Sequence, residues 1–156
     1  MRGERREQHL RKRGAAFTEY LCIDGDPEAV AAGLKHVFGL PLMANLEDDC
    51  RGAVEIVLAE VLNNITEHAY AAHPGKIELW ITSHVTFLFV RVVDSGLSMP
   101  GGEMPGGALS LATEIQDLPE GGFGWFLIRT LTHELAYLRE GDRNTLSFCM
   151  DVDYSH

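Results

Sequence analysis

Glu60, Asn64 and His68 are spaced four residues apart within a segment of helical apolar periodicity. Side chains at this spacing stack along one face of a helix. A carboxylate and a carboxamide oxygen one turn apart can bind a divalent ion and orient a hydroxyl group or a water molecule. Mg²⁺ prefers such oxygen ligands together with phosphates and waters. The alternative interpretation is a solvated polar helix face that carries no chemistry.

A second candidate site is Asp94-Ser95-Gly96, which follows the most apolar strand pattern of the chain. A partly buried carboxylate at that position requires a hydrogen-bond donor. The exocyclic amine of a purine is such a donor, and Gly96 would let the base approach the backbone closely. The alternative is an ordinary turn at a strand end, which Asp-x-Gly sequences commonly form.

A third candidate site is the glycine-rich stretch EGGFG at residues 120–124, which opens a predicted helix. Free backbone N–H groups at the start of a helix bind anions, and glycines allow phosphates to come close. The stretch is not a Walker loop, because no Gly-Lys-Ser/Thr follows it. It is not a dinucleotide fingerprint either, because Leu127 stands where a third small residue is required. A flexible hinge with close helix packing is the alternative.

The apolar pattern also predicts the elements that carry these residues. The stretch 46–72 has the strongest helical period, and 84–93 is apolar at both alternating positions, as in a central strand covered on both faces. A short helix is predicted at 108–116. The alternation of elements, with a final hairpin, predicts an α/β two-layer sandwich with a mixed sheet. The predicted strands cover residues 16–24, 77–81, 84–93, 134–139 and 145–152, and the main predicted helices cover 27–38, 46–72 and 121–133.

Composition and charge exclude several classes of protein. The chain has 156 residues, of which 46% are hydrophobic and 23% charged, as in one globular domain. Six of its 13 basic residues fall within the first thirteen positions, and the remainder of the chain has a net charge of -14. A body this acidic is a poor general binder of nucleic acid. We therefore predict a basic, mobile tail at 1–15 and a single domain at 16–153.

The distribution of apolar residues and cysteines predicts a cytoplasmic protein. No apolar run reaches the roughly 18 residues that a membrane span requires, and the N-terminus has no apolar signal-peptide core. The three cysteines are far apart in sequence, which favours reduced thiols over a disulfide framework or a zinc finger. The histidines other than His68 show no metal-ligand spacing and are expected at the surface.

Together, four motifs resemble the GHKL ATPases, the family of gyrase, MutL and the histidine kinases. The stretches EVLNNITEHAY, VRVVDSG, EGGFGWFLIRTL and NTLSF are most similar to the small anti-sigma factor serine/threonine kinases. The resemblance covers residues 16–152 and implies a Bergerat-type ATP-binding fold, with helices on one face of a mixed, mostly antiparallel sheet. The motif residues, in chain order, are Glu60 and Asn64, Asp94 and Gly96, Gly122 and Gly124, and Asn144 and Thr145.

The resemblance implies a role for each matching residue. Asn64 would bind Mg²⁺ at the ATP phosphates, and Glu60 would orient or deprotonate the attacking hydroxyl of a protein serine or threonine. Asp94 would accept a hydrogen bond from the adenine amine, assisted by Thr145, and Gly96 would lie beside the base.

For the glycine-rich motif, the resemblance implies that Gly122 and Gly124 lie beside the phosphates and that residues 97–121 form a lid over ATP. It further implies a protein kinase with two partners, a sigma factor and an anti-anti-sigma protein of the STAS type. Such kinases often form homodimers.

The sequence departs from this family in its predicted lid. Kinase-active relatives commonly place a basic residue shortly before the Gly-x-Gly motif, whereas residues 97–128 contain no Lys or Arg. A well-placed arginine is worth about 10³ to 10⁵ in the rate of phosphoryl transfer. A catalytically weak or inactive nucleotide-binding partner switch therefore stands as a second hypothesis. A sensor-histidine-kinase module is less favoured, because no long helix with a phospho-accepting histidine precedes residue 16.

Overall fold

The computed structural model describes residues 16–99 and 122–155. The predicted tail, the predicted helix at 108–116 and most of the predicted lid lie outside these ranges. The strands are β1 (Phe17–Asp24), β2 (Lys76–Ser83), β3 (Phe87–Asp94), β4 (His133–Glu140) and β5 (Arg143–Asp151). The helices are α1 (Pro27–Phe38), α2 (Pro41–Ala44), α3 (Asp48–Asn64) and α4 (Gly122–Leu131), and a π-helical turn (Ile65–Ala69) continues α3.

The five strands form one sheet in the order β1-β2-β3-β5-β4. Each of the four pairings is antiparallel. This arrangement confirms the two-layer α/β class and the mostly antiparallel sheet, and among the described strands no parallel pair makes the sheet mixed. Alternate side chains of a strand point to the same face of the sheet, and here one face is buried against the helices. The buried residues of three strands show this alternation: Ile77, Leu79, Ile81, Leu88, Val90, Val92, Leu146, Phe148 and Met150.

Strand β3 lies at the centre of the sheet, as its apolar sequence predicted. Only one of its faces is covered along its middle, however, because Phe89 and Arg91 are exposed on the face away from the helices. The expected cover on both faces is therefore wrong for this part of the strand. On the same face, the Arg91 guanidinium lies 4.2 Å from the centre of the Trp80 ring.

Helix α3 contributes to the buried core and carries two of the candidate residues, Glu60 and Asn64. Its apolar stripe is buried, and Asp48 and Asp49 occupy its first turn, where the positive end of the helix dipole favours acidic side chains. The predicted helix at 46–72 is thus confirmed in its main part. Its end differs, because the backbone changes to a π-helical turn in which Tyr70 N bonds to Ile65 O at 2.9 Å.

Helix α1 starts as its sequence predicted. The Asp26 side chain accepts a hydrogen bond from Ala29 N at 2.8 Å, and Pro27 occupies the first turn, where its missing N–H costs nothing. The short helix α2 was not predicted. It begins at Pro41, which occupies its first turn. Within the described ranges, no helix combines the length and apolar character that crossing a bilayer requires.

Candidate functional site

Asp94 ends the central strand, and its side chain is buried with 6% exposure. Its Oδ1 atom accepts hydrogen bonds from Gly96 N at 2.9 Å and from Asn144 Nδ2 at 2.8 Å. Burial raises the pKa of this carboxyl, against the opposing effect of these two bonds and of the nearby Arg139 charge. Both bonds recorded within the described residues end on Oδ1, so Oδ2 is the oxygen left for an external donor.

Asn144 lies opposite Asp94 in the strand register and is also buried, with 4% exposure. Its Oδ1 accepts from the Tyr137 hydroxyl at 2.6 Å and from an Arg139 guanidinium nitrogen at 3.0 Å. Its Nδ2 donates to Asp94 and, at 2.9 Å, to Leu97 O. The amide is therefore held from both ends in one orientation, with its nitrogen toward the carboxylate.

Thr145 does not share this environment. It lies opposite Val93 in the register, and successive side chains of a strand point to opposite faces of the sheet. The position beside Asp94 that we expected Thr145 to occupy is filled by Asn144. The signal was in the sequence: Asn144 shares its parity with Leu146 and Phe148, which face the helices.

Packing against Ala69 explains why a glycine stands at position 96. A Cβ built on it would collide with the carbonyl oxygen of Ala69, and Leu97 N donates to that same oxygen at 2.9 Å. The glycine therefore lets the segment after β3 lie directly against the π-helical turn. The expectation that Gly96 lies beside an adenine base is a separate matter and stays a prediction.

Two tyrosines and an arginine fasten the same segment and were missed from the sequence. The Tyr70 hydroxyl accepts from Ser95 N at 2.8 Å, and the Tyr137 hydroxyl accepts from Met99 N at 3.1 Å. Arg139 donates to Gly96 O at 2.6 Å. Tyr70 follows the π-helical turn, and Tyr137 and Arg139 lie on β4, so only the tertiary fold brings these side chains together.

Glu60 and Gly124 meet where α3 packs against α4. A Cβ built on Gly124 would collide with the Glu60 carboxylate, so this glycine gives the carboxylate its place at the first turn of α4. The N-terminal end of a helix carries partial positive charge and free N–H groups, which attract anionic groups. The structure thus brings two of the predicted site residues together.

Asn64 ends α3, one turn beyond Glu60. Its side-chain nitrogen is buried and has no hydrogen-bond partner among the described residues. A buried polar group without a partner is unfavourable, so a ligand that pairs with it would be favoured. The Asn64 amide offers an N–H donor to a phosphate oxygen and a carbonyl oxygen to a hard cation. Asn64 and Glu60 therefore fit a magnesium-bound phosphate chain. His68, the third member of the predicted stripe, is exposed in the π-helical turn.

The Asp94 and Asn64 sites adjoin one another. Asn64 precedes the π-helical turn, and the end of that turn, Ala69, contacts Gly96. Glu60 and Asn64 therefore lie at the end of α3, and Asp94 lies two residues before the glycine that packs on the π-helical extension of this helix. This combination can contact both a base and a charged phosphate chain.

Residues 23–150 match the model of the histidine kinase-like ATPase domain, and the chain belongs to that family. The family resemblance predicted from the four motifs is confirmed. Proteins named serine-protein kinase RsbW are similar at 27% identity over 89 residues, in Bacillus cereus (strain AH820), Bacillus anthracis (strain A0248) and Bacillus thuringiensis (strain Al Hakam). The match covers 56% of this chain and 56% of the length of each of these relatives.

Proposed function

We propose that this chain is an ATP-dependent protein serine/threonine kinase that acts as an anti-sigma regulatory factor. It would phosphorylate an anti-anti-sigma protein of the STAS type and bind a sigma factor. We expect it to act in the cytoplasm and to assemble as a homodimer. The observation that carries the proposal is the Glu60 carboxylate at the first turn of α4, one helical turn before Asn64, whose side-chain nitrogen is buried and has no hydrogen-bond partner among the described residues. The names of the RsbW relatives support the same activity class.

For nucleotide binding, Asp94 would accept the adenine amine on Oδ2, the oxygen not used by Asn144 and Gly96. Asn144 would keep the carboxylate in place, whereas the resemblance gave Thr145 the different part of assisting Asp94 at the adenine amine. Asn64 would bind Mg²⁺ at the phosphates, and the backbone at Gly122 and Gly124 would lie beside them. Bound Mg²⁺ would neutralise negative charge on the phosphate oxygens.

For phosphoryl transfer, Glu60 would orient the serine or threonine hydroxyl of the partner and accept its proton. General-base catalysis of this kind contributes about 10² to 10⁴ in rate. The first turn of α4 would offer backbone N–H groups to the phosphate chain. None of these contributions requires a basic side chain between residues 97 and 128.

The second candidate function is a nucleotide-binding partner switch without appreciable catalysis. The observation that favours it is the lack of Lys and Arg across residues 97–128 of the sequence. Nucleotide would then change the affinity for the partner proteins without turnover. Linkage requires that nucleotide and partner alter each other's affinity by the same factor.

The decisive experiment incubates the full chain with Mg·ATP and its anti-anti-sigma partner and detects phosphoserine or phosphothreonine. We expect Glu60→Gln to slow transfer by at least ~100-fold while nucleotide affinity is retained. Glu67→Gln is the matched control, because Glu67 is an exposed glutamate of the adjoining π-helical turn. Nucleotide binding by the wild type without transfer would reject the kinase and favour the switch. A chain that binds no adenine nucleotide would reject both functions.

A further inference from the structure

A cluster of metal-ligating side chains lies on strands β4 and β5. One ligand atom from each of His133, Glu134 and Cys149 falls within 4.8 Å of the other two. His133 pairs with Cys149 across the two strands. Cys149 is buried, whereas His133 and Glu134 are exposed. An ion could therefore enter from solvent past His133 and Glu134 and reach the buried Cys149 thiol.

The backbone departs from regular strand geometry to form this cluster. Glu134 has a positive φ of 53°. Within residues 16–99 and 122–155, all other non-glycine residues have a negative φ. The β4–β5 register shifts between His133 and Ala136. In a regular strand, His133 and Glu134 would point to opposite faces of the sheet. The bulge instead places Glu134 Oε2 3.7 Å from Cys149 Sγ, as bulges that re-aim side chains do.

A fourth side chain orients the histidine. His133 Nε2 lies 2.9 Å from Asp151 Oδ1. A carboxylate bonded to one imidazole nitrogen fixes the ring and leaves the other nitrogen for a metal, which is the usual surrounding of a metal-bound histidine. Imidazole, carboxylate and thiolate donors together suit Zn²⁺ and related transition ions, whereas Mg²⁺ and Ca²⁺ take oxygen ligands.

The cluster is separate from the candidate nucleotide site. Cys149 follows Asn144 by five residues on β5, a separation of about 17 Å along a strand. The two residues also have opposite parity, so their side chains leave opposite faces of the sheet. Binding at the cluster and binding of nucleotide are therefore independent questions.

We propose that His133, Glu134 and Cys149 form a binding site for Zn²⁺ or a similar transition ion, with Asp151 orienting the histidine. As the metal–sulfur bond forms, the Cys149 thiol gives its proton to solvent. The bound ion ties edge strand β4 to β5 at the end of the sheet remote from Asp94. His133 is exposed, as the sequence predicted, and the proposal gives this surface histidine a role in metal binding.

The test is a titration of the tag-free full chain with Co²⁺, followed by displacement with Zn²⁺. We expect one equivalent of Co²⁺ to give a sulfur-to-cobalt charge-transfer band, and one equivalent of Zn²⁺ to remove it. Cys149→Ser should abolish the band, and the exposed-site variants His133→Gln and Glu134→Gln should weaken binding while the protein stays folded. Asp151→Asn should weaken binding by ~10- to 100-fold, the effect typical of groups that orient a ligand.

Cys22→Ser is the matched control, because Cys22 is an exposed cysteine on the opposite edge strand. It should leave the band and the affinity unchanged. The proposal is overturned if the wild type binds no stoichiometric ion, or if loss of Cys22 rather than Cys149 removes the band. Nucleotide binding should survive all these substitutions, so a failure here is distinguishable from a failure of the proposed kinase.

Discussion

Asn144 is the residue on which the surroundings of Asp94 depend. Asn144→Ala removes a donor to the buried carboxylate, leaves the Tyr137 hydroxyl without its acceptor, and leaves Arg139 with Gly96 O alone of its two acceptors described above. Losing such partners costs about 1–3 kcal/mol of unfolding free energy, and we expect weaker ATP binding as well. Denaturant unfolding and calorimetry measure both. Thr145→Ala, on the other face of the sheet, is the control, and equal effects of the two substitutions would contradict the role given to Asn144.

Asp94 makes the stability of the protein depend on pH in a definite direction. Burial raises its pKa above the ordinary value of 3.8, so the folded protein binds this proton more tightly than the unfolded chain does. The resulting stabilisation is complete below pH 3.8 and is lost as the pH rises through the folded-state pKa.

Asp94→Asn removes this dependence, since the amide stays neutral and its oxygen can still accept from Gly96 and Asn144. Without nucleotide, the unfolding free energy of the variant relative to wild type should therefore increase as the pH is raised through that range. Urea unfolding at a series of pH values gives this difference. A difference that is constant or falls with pH would contradict the burial argument. The variant should also lose the preference for adenine.

At the scale of elements, the contact between the π-helical turn and the segment after β3 decides the shape of the site. Gly96→Ala would force a Cβ against the Ala69 carbonyl oxygen, a backbone atom that cannot simply rotate away. Overpacking of this kind costs about 1–3 kcal/mol, and nucleotide affinity should fall as Asp94 is displaced. Thermal and denaturant unfolding measure the loss.

Gly52→Ala is the matched control for Gly96→Ala, because a Cβ at this position of α3 meets nothing within 4 Å. Alanine is favoured over glycine inside a helix by about 0.5–1 kcal/mol, so this substitution should stabilise the protein. The two glycine substitutions are therefore expected to have opposite signs. Equal effects would mean that the Gly96 contact does not constrain the fold.

Sequence patterns predicted the elements whose causes are local. Asp26 and Pro27 specify the start of α1 by capping, and the turn before Arg143 specifies the hairpin. The features that were missed depend on tertiary contacts. The π-helical turn forms where Ala69 meets Gly96, and the bulge at Glu134 forms against Cys149.

The candidate site was predictable to a similar extent. Motif order identified Glu60, Asn64 and Asp94, and strand parity applied to the NTLSF motif would have favoured Asn144 over Thr145. The tyrosine and arginine contacts around Asn144 could not be predicted, because the hairpin signal indicated the partner of the strand that carries Tyr137 and Arg139 but not its register.

At the scale of the whole molecule, a nucleotide that binds only the folded chain must raise its stability. At a concentration 100 times the dissociation constant, Mg·ATP should add about 2.7 kcal/mol to the unfolding free energy. Thermal-shift measurements with ATP, ADP and GTP, each with and without Mg²⁺, test this expectation. Equal shifts with GTP and ATP would contradict adenine recognition by Asp94, and the absence of any shift would contradict nucleotide binding.

The sheet order has a consequence for local fluctuations. β3 is paired on both sides, by β2 and β5, whereas β1 and β4 are edges. Amide hydrogens shielded on both flanks are released to solvent only in large openings of the structure, while edge strands fray at lower free energy. Asp94 is thus carried by an interior strand, and its carboxylate can stay in place while the edge strands open locally.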